Sequence, residues 1–176
     1  MEDETYDVVN EDDRVVGKAT WTECHRKGLR HRTSCVLIFK DRTRREILLQ
    51  KRSTDMEQDP GLWQHSAGGH VMAGETARKA AETEMKEELF AGMRMPDIKL
   101  RRVLKFANDN LAKNKEITTV FEAVHPGPFR HDRKEVGAKP VWTDLDFVLK
   151  DVRKNPGNYT VSFRNIIREY AKSRKA

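Results

Sequence analysis

The stretch GGHVMAGETARKAAETEMKEE, Gly68–Glu88, decides how the rest of this chain is read. It opens on a Gly-rich turn, Gly68-Gly69 and then Gly74, and continues as an uninterrupted helical run. On a helix that advances about 100° per residue, Glu84, Glu87 and Glu88 fall within one arc. Positions three and four apart are neighbours on a helix face, and like charges there repel by roughly 0.2–0.5 kcal/mol per pair. A divalent cation removes that repulsion, and carboxylate oxygens are the ligands that Mg²⁺ and Mn²⁺ prefer. Ala77, Ala80 and Ala81 lie on or beside the same face, small enough for backbone or ligand to approach. Most charge runs are solvated helix faces. The Gly turn in front, with free backbone groups at the helix start, favours a site instead.

These residues resemble the Nudix box. Its pattern is Gly, five residues, Glu, seven residues, Arg-Glu, an aliphatic residue, any residue, Glu-Glu, any residue, Gly and an aliphatic residue. Gly69, Glu75, Glu84, Met85, Glu87 and Glu88 fit; Thr83 stands where the family has Arg, and Phe90 where it has Gly. The resemblance implies that Glu84, Glu87 and Glu88 bind the catalytic cations, Mg²⁺ or Mn²⁺, with the Gly68 carbonyl as a further ligand. It also implies an α/β fold, the αβα sandwich of that family, with a mixed β-sheet between helices. The family's Arg ion-pairs with box carboxylates, so Thr83 bears on rate more than on fold. Phe90 suggests a helix that runs on to Gly92 as its C-cap.

With 176 residues, 37% hydrophobic and 35% charged, the chain has the size of one domain and enough apolar residues for one core. The expected domain spans 1–176. No apolar run approaches the roughly 18 residues of a membrane span, so no membrane partner is expected. The acidic start MEDETYDVVNEDD lacks an apolar signal segment. Cys24 and Cys35, the only cysteines, have no CxxC spacing and read as reduced thiols of a cytoplasmic protein. The net charge of +6 suits polyanionic ligands, nucleotides or RNA.

Along the chain, residues 6–18 read as a hairpin, two Val-rich runs around a polar turn. Thr20 or Thr22 caps a short helix that stops at Gly28. HRKGLRHR (25–32) is the densest basic patch, where His31 and Arg32 are candidate phosphate contacts. SCVLIFK (34–40) is a buried strand, paired as a hairpin with EILLQKR (46–52), from which Arg52 exits toward the box. Trp63 reads as a core anchor. Strands at 99–108 and 115–124 follow the box of 69–91, and HPGPFRHDRKE (125–135) is a substrate-facing loop. A strand within 138–146 leads to a helix capped by Asp144 or Asp146. The C-terminal helix, 162–174, is amphipathic on Phe163, Ile166, Ile167 and Tyr170. Interleaved strands and helices in this β-rich order suit a mixed sheet covered by helices. The exposed N-terminal hairpin offers a surface for a homodimer.

The flanking sequence is similar to the branch of the family near isopentenyl-diphosphate isomerase. Isomerases of that type carry a catalytic Cys in a Cys-Gly-His triplet; here the triplet is Gly68-Gly69-His70. His25, His31 and His70 resemble the isomerase's histidine metal ligands, and Glu116 its carboxylate, with Asn114 in place of a second acid. Hydrolysis of a pyrophosphate linkage in a nucleoside diphosphate derivative or related compound is therefore the favoured activity. Glu87 or Glu88 would take the proton of the attacking water, with Glu116 and Glu135 as alternative bases. Arg52, His70, His31 and Arg32 are the expected substrate contacts. Alternatives are an isomerase-like enzyme and a non-catalytic nucleotide- or RNA-binding module. Nucleic acid is a less favoured partner, because aromatics make up only 7% of the chain.

Overall fold

A computed structural model of the chain describes residues 4–109, 111–132 and 134–174. The ends of the expected 1–176 domain lie outside the described residues. The Val-rich runs form an antiparallel hairpin, β1 (Thr5–Val9) and β2 (Val15–Thr20). Thr20 then caps α1 (Trp21–Lys27) with a capping box. Its hydroxyl accepts from the Glu23 N–H, and the Glu23 carboxylate reaches back to the Thr20 N–H. Gly28 ends the helix at φ +67°, which glycine adopts without strain.

The strands that follow are β3 (His31–Phe39), β4 (Glu46–Lys51), β5 (Trp63–Gln64) and β6 (Ala67–His70). After them come α2 (Ala77–Leu89), β7 (Arg101–Ala107), β8 (Glu116–Val124), β9 (Val141–Asp144), α3 (Leu145–Lys154) and α4 (Val161–Ser173). The sheet is mixed, in the order β5-β4-β3-β8-β7, with β6 also on β3 and β9 on β4. β3 and β8 run parallel over their whole length, from His31↔Glu116 to Phe39↔Val124.

Alternation along β3 decides which helix each face takes. Cys35, Leu37 and Phe39 pack with Val148 of α3 and with Phe163, Ile166 and Tyr170 of α4. Val36 and Ile38 pack with Ala81, Met85 and Leu89 of α2. Each such side chain, fully buried, stabilises the fold by about 1.5–3 kcal/mol. The result is a sheet between helices, the αβα arrangement expected. No helix among the described residues is long and apolar enough to cross a membrane.

Two local expectations change. The β3–β4 hairpin is reduced to one register pair, Phe39↔Ile47, because β6 takes Thr33–Val36 of that edge and β9 takes Glu46–Leu49. The box helix ends at Leu89 with Phe90 as its cap, not at Gly92. Phe90 is 1% exposed and packs on His125 and Phe129, while the Leu89 carbonyl and the Ala91 N–H bond to Arg130. Those bonds draw the chain out of the helix, and Gly92 serves the turn beyond at φ +68°.

Under α4 lies one buried carboxylate, Glu122 of β8, 3% exposed. It accepts from Arg44 at 2.6 Å, Arg101 at 2.7 Å and the Tyr170 hydroxyl at 3.0 Å. Burial pushes its proton affinity up, but these three donors outweigh burial and hold it below the usual carboxylate range. A depressed folded-state value contributes stability above the unfolded pKa, lost as pH falls through the folded one. Glu122→Gln should therefore cost about 1.5–3 kcal/mol at pH 7. In urea unfolding its deficit against the unaltered chain should shrink as the pH is taken below about 4; a deficit unchanged by acid would refute the charge-based account.

Candidate active site

The sheet and α2 enclose a cavity of about 1000 Å³ beside the Gly68–His70 strand. Its wall carries Glu84, Glu87 and Glu88 from α2 and Glu135 from the loop after β8. Carboxylate oxygens of Glu84, Glu88 and Glu135 all lie within 4.8 Å of one another. Glu88 is 3% exposed, and its Oε2 accepts from the Gly68 N–H at 3.0 Å and from Gln50 Nε2 at 3.1 Å. Glu87 is exposed toward the cavity. Thr83 lines it too, in place of the Arg the pattern would supply.

Among the described residues, no Lys or Arg forms an ion pair with Glu84, Glu87, Glu88 or Glu135. The consequence is electrostatic. Burial, then the neighbouring charges of Glu135 and Glu87, push Glu84 up to about 7. Burial and the Glu84 charge push Glu88 well above the carboxylate range, although the Gly68 and Gln50 bonds oppose them. Glu135 is raised by burial and by Asp132 and Glu87. Carboxylates so crowded hold protons until a cation replaces them.

Two glycines make the crowding sterically feasible. A Cβ on Gly69 would stand 2.1 Å from Glu84 Oε1, so only glycine lets this carboxylate lie on the strand. A Cβ on Gly68 would stand 2.6 Å from the Ser34 carbonyl oxygen and 2.9 Å from both Cα and Cβ of Cys35. Position 68 therefore has no thiol and no room for one with the backbone as it stands.

A second donor set sits beside the first. One ring nitrogen each of His25, His31 and His70 lies within 4.8 Å of the others. Nδ1 of His25 and of His31 bonds the Trp21 and Leu29 carbonyls, both at 2.9 Å. A carbonyl can only accept, so both Nδ1 atoms carry the proton and both Nε2 atoms carry lone pairs. Nε2 of all three rings is buried and without a hydrogen-bond partner. Burial and the nearby His31, His25 and Arg52 push His70 down to about 3, and burial also lowers His31. Orphaned imidazole lone pairs converging in this way, with Nδ1 fixed by carbonyls, have the donor chemistry of a transition-metal site. Tyr6 covers the set, its ring 5.0 Å from His70 and 5.9 Å from His31, and Trp21 stacks on His25 at 4.3 Å.

The remaining expected site residues divide. Arg52 lines the cavity, bonded to the Gln58 carbonyl at 2.9 Å and to Gln64 Oε1 at 3.3 Å. Glu116 lines it at 6% exposure. His31 is 0% exposed and turned to the other two rings. Arg32 is not among the residues lining the cavity: strand alternation puts it on the opposite face from His31 and Thr33. There it bonds Asp13 at 2.6 Å and lies 3.6 Å from Asp7, pinning the N-terminal hairpin. Gln50 and Tyr6 were missed. A polar residue at an inward position of the apolar strand EILLQK was the available signal for Gln50.

Residues 29–163 match a protein-family profile described as NUDIX domain. Over 172 residues the chain is 30% identical to an isopentenyl-diphosphate Delta-isomerase of Serratia proteamaculans, covering 95% of this chain and 91% of that protein. Over 148 residues it is 34% identical to an uncharacterised Nudix hydrolase of Pseudomonas aeruginosa, covering 84% and 83% of the two. A crystal structure of DR0079 from Deinococcus radiodurans shares the fold with a TM-score of 0.78 at 21% identity, covering 94% of this chain and 98% of that one.

The raised Glu84 value gives a pH signature. A carboxylate with an elevated folded-state pKa contributes stability that is present below the unfolded value and lost as pH rises through the folded one. Here that window runs from 4.5 to about 7. In metal-free buffer, Glu84→Gln should gain about 1–3 kcal/mol on the unaltered chain across that window. Adding Mg²⁺ or Mn²⁺ at pH 7 should restabilise only the unaltered chain. Thermal unfolding at several pH values checks this, and a flat difference would remove the uncompensated-charge account.

Proposed function

The chain belongs to the Nudix family, and from that premise we propose that it is a metal-dependent hydrolase of a pyrophosphate linkage. The proposed substrate is a nucleoside diphosphate derivative or a related organic pyrophosphate. The convergence of Glu84, Glu88 and Glu135 within 4.8 Å, with no Lys or Arg ion-paired to them among the described residues, carries this reading.

The oxygen donors of Glu84, Glu88 and Glu135, with Glu87 on the same wall, suit Mg²⁺ or Mn²⁺, and the Gly68 carbonyl is the proposed further ligand. The three imidazoles suit a d-block divalent cation, and Glu116, the register partner of His31, supplies a carboxylate on the same side of the ladder. Divalent cations bound in such sites neutralise pyrophosphate oxygens and lower the pKa of an attacking water. The chain's own groups do the rest. Arg52 shares the phosphate charge through hydrogen bonds. Glu88, held by two donors on one oxygen, positions the cluster. Glu87, exposed to the cavity, is the better placed of the two to take the proton from water, with Glu135 next.

The isomerase named among the relatives is the competing activity, and Gly68 is the observation against it. Protonating an alkene carbon needs an acid at that carbon, and here position 68 offers none. Gly68→Cys should not create isomerase activity. It should instead destabilise the chain by about 1–3 kcal/mol through backbone overlap, read as a lower Tm and no conversion of isopentenyl diphosphate.

The deciding assay follows phosphate or phosphomonoester release from nucleoside di- and triphosphates, ADP-ribose, dinucleoside polyphosphates and isopentenyl diphosphate. It is run with Mg²⁺ or Mn²⁺, beside Glu87→Gln and Glu88→Gln. Turnover of at least one compound, reduced at least about 100-fold in either variant, is expected. Metal binding with no turnover of any compound would leave a non-catalytic binding module. Rearrangement of isopentenyl diphosphate would return the isomerase.

A further inference from the structure

The proposed chemistry uses part of the cavity wall, and the rest of that wall has a charge of its own. A volume of about 1000 Å³ encloses more than a pyrophosphate group, so the organic part of the substrate lies against the wall as well. Five carboxylates beyond those already described line it: Glu4, Asp55, Glu57, Asp59 and Glu75. None of them forms an ion pair with a Lys or Arg among the described residues. Among the described residues that line the cavity, Arg52 is the single Lys or Arg. The chain as a whole carries +6, so the cavity is acidic against the net charge of the protein.

Three of these acids come from one short segment. Asp55, Glu57 and Asp59 alternate in the loop between β4 and β5, and all three are exposed. That loop is fixed by its backbone. The Ser53 N–H donates to the Glu135 carbonyl at 2.8 Å, and Arg52 Nε donates to the Gln58 carbonyl at 2.9 Å. The first bond ties the loop to the residue that completes the carboxylate cluster. Glu4 and Glu75 act on the cluster electrostatically. Behind burial, Glu135 and Glu87, their charges push Glu84 up; behind burial, Asp132 and Glu87, Glu4 does the same to Glu135. The same wall carries the Trp21 indole, the Met56 and Met72 thioethers and the exposed Leu111. Carboxylates set beside an indole and thioethers form a surface that suits an organic cation.

We propose that Glu4, Asp55, Glu57, Asp59 and Glu75 select the substrate by the charge of its organic moiety, preferring a protonated amine or alkylammonium group to a neutral one and rejecting a further anionic group. The pyrophosphate itself rests on the pyrophosphohydrolase reading; the charge preference is a property of the wall. Arg52 is taken by the pyrophosphate in that reading. A further anionic group therefore meets unpaired carboxylates and no Lys or Arg, whereas a cationic group meets the same carboxylates with the opposite sign.

Three probes isolate the charge. UDP-glucosamine, UDP-glucose and UDP-glucuronate share one nucleoside and one pyrophosphate linkage, and their sugars carry a cationic, a neutral and an anionic group. kcat/KM is measured at pH 7 with Mg²⁺, or Kd by calorimetry in the same buffer if nothing turns over. UDP-glucosamine should be favoured over UDP-glucuronate by about tenfold or more, with UDP-glucose between them. The ratio should shrink as ionic strength rises from about 0.1 to about 1 M, which shortens the screening length from about 10 to about 3 Å. Asp55→Asn, Glu57→Gln and Asp59→Asn together should lower the ratio about threefold or more, and Glu75→Gln, on a separate segment, about twofold by itself. A ratio between substrates of one variant cancels any general loss of folded or metal-loaded protein. Equal values for the three, a preference for UDP-glucuronate, a ratio unmoved by the variants, or binding of none of the three overturns the charge selection. The expected order in Kd without turnover would keep the selection and remove the hydrolase; turnover without the order would do the reverse.

Discussion

The backbone of β6 lies so close to β3 and to α2 that no side chain fits at Gly68 or Gly69 without moving backbone or the Glu84 carboxylate. Much of the site follows from that approach. With no side chain between them, the Gly68 N–H reaches Glu88 directly, and the same carboxylate oxygen takes Gln50 from β4. One buried acid thus ties α2 to two strands. Ala80 and Ala81, 2% and 0% exposed, let the helix settle at that distance. Larger residues there would lift α2 from β6 and separate Glu84 and Glu88 from the strand.

The same closeness concentrates charge. An Arg at position 83 would neutralise part of it, and Thr83 does not. Glu84 and Glu88 accordingly sit with raised proton affinity, burial first and then neighbouring carboxylates, Glu135 and Glu87 for Glu84 and Glu84 for Glu88. The fold accepts this because protonation is available as a release, at no more than the linkage cost of moving a carboxylate pKa upward. A cation would have to displace those protons, so metal affinity and pH are coupled here more tightly than in a cluster already balanced by an Arg.

The sequence made the elements that depend on local chemistry legible. Thr20 and Gly28 mark both ends of α1, Asp144 starts α3, and the four apolar residues of the C-terminal helix are the ones α4 buries. The box spacing located three carboxylates of the site for the same reason, since they share one helix face. What depended on strand partners was not readable. The hairpin of β3 with β4 gave way because β6 and β9 compete for the same edges, a contest between distant segments. Arg32 sat next to His31 in a basic patch, and only the sheet shows that adjacent strand residues face opposite ways. Gln50, ahead of the box, reaches Glu88 through tertiary packing alone, whereas Glu135, which the sequence offered as an alternative base, joins Glu84 and Glu88 from the loop after β8.

The relation to the isomerase named among the relatives can be argued from one pair of positions. Gly68 and Cys35 are register partners across β3 and β6, and the space a side chain at 68 would need is already held by Cys35, itself 1% exposed. Burial and the Glu116 charge push that thiol up, so it stays protonated and unreactive at neutral pH. A side chain at 68 would point to the same side as Cys35, so a thiol there requires shrinking position 35 at the same time as enlarging position 68. His31 and Glu116 are register partners on the β3–β8 ladder, while His25 comes from α1 and His70 from β6. The three imidazoles and the α2 carboxylates thus stand together in a chain whose position 68 carries no acid.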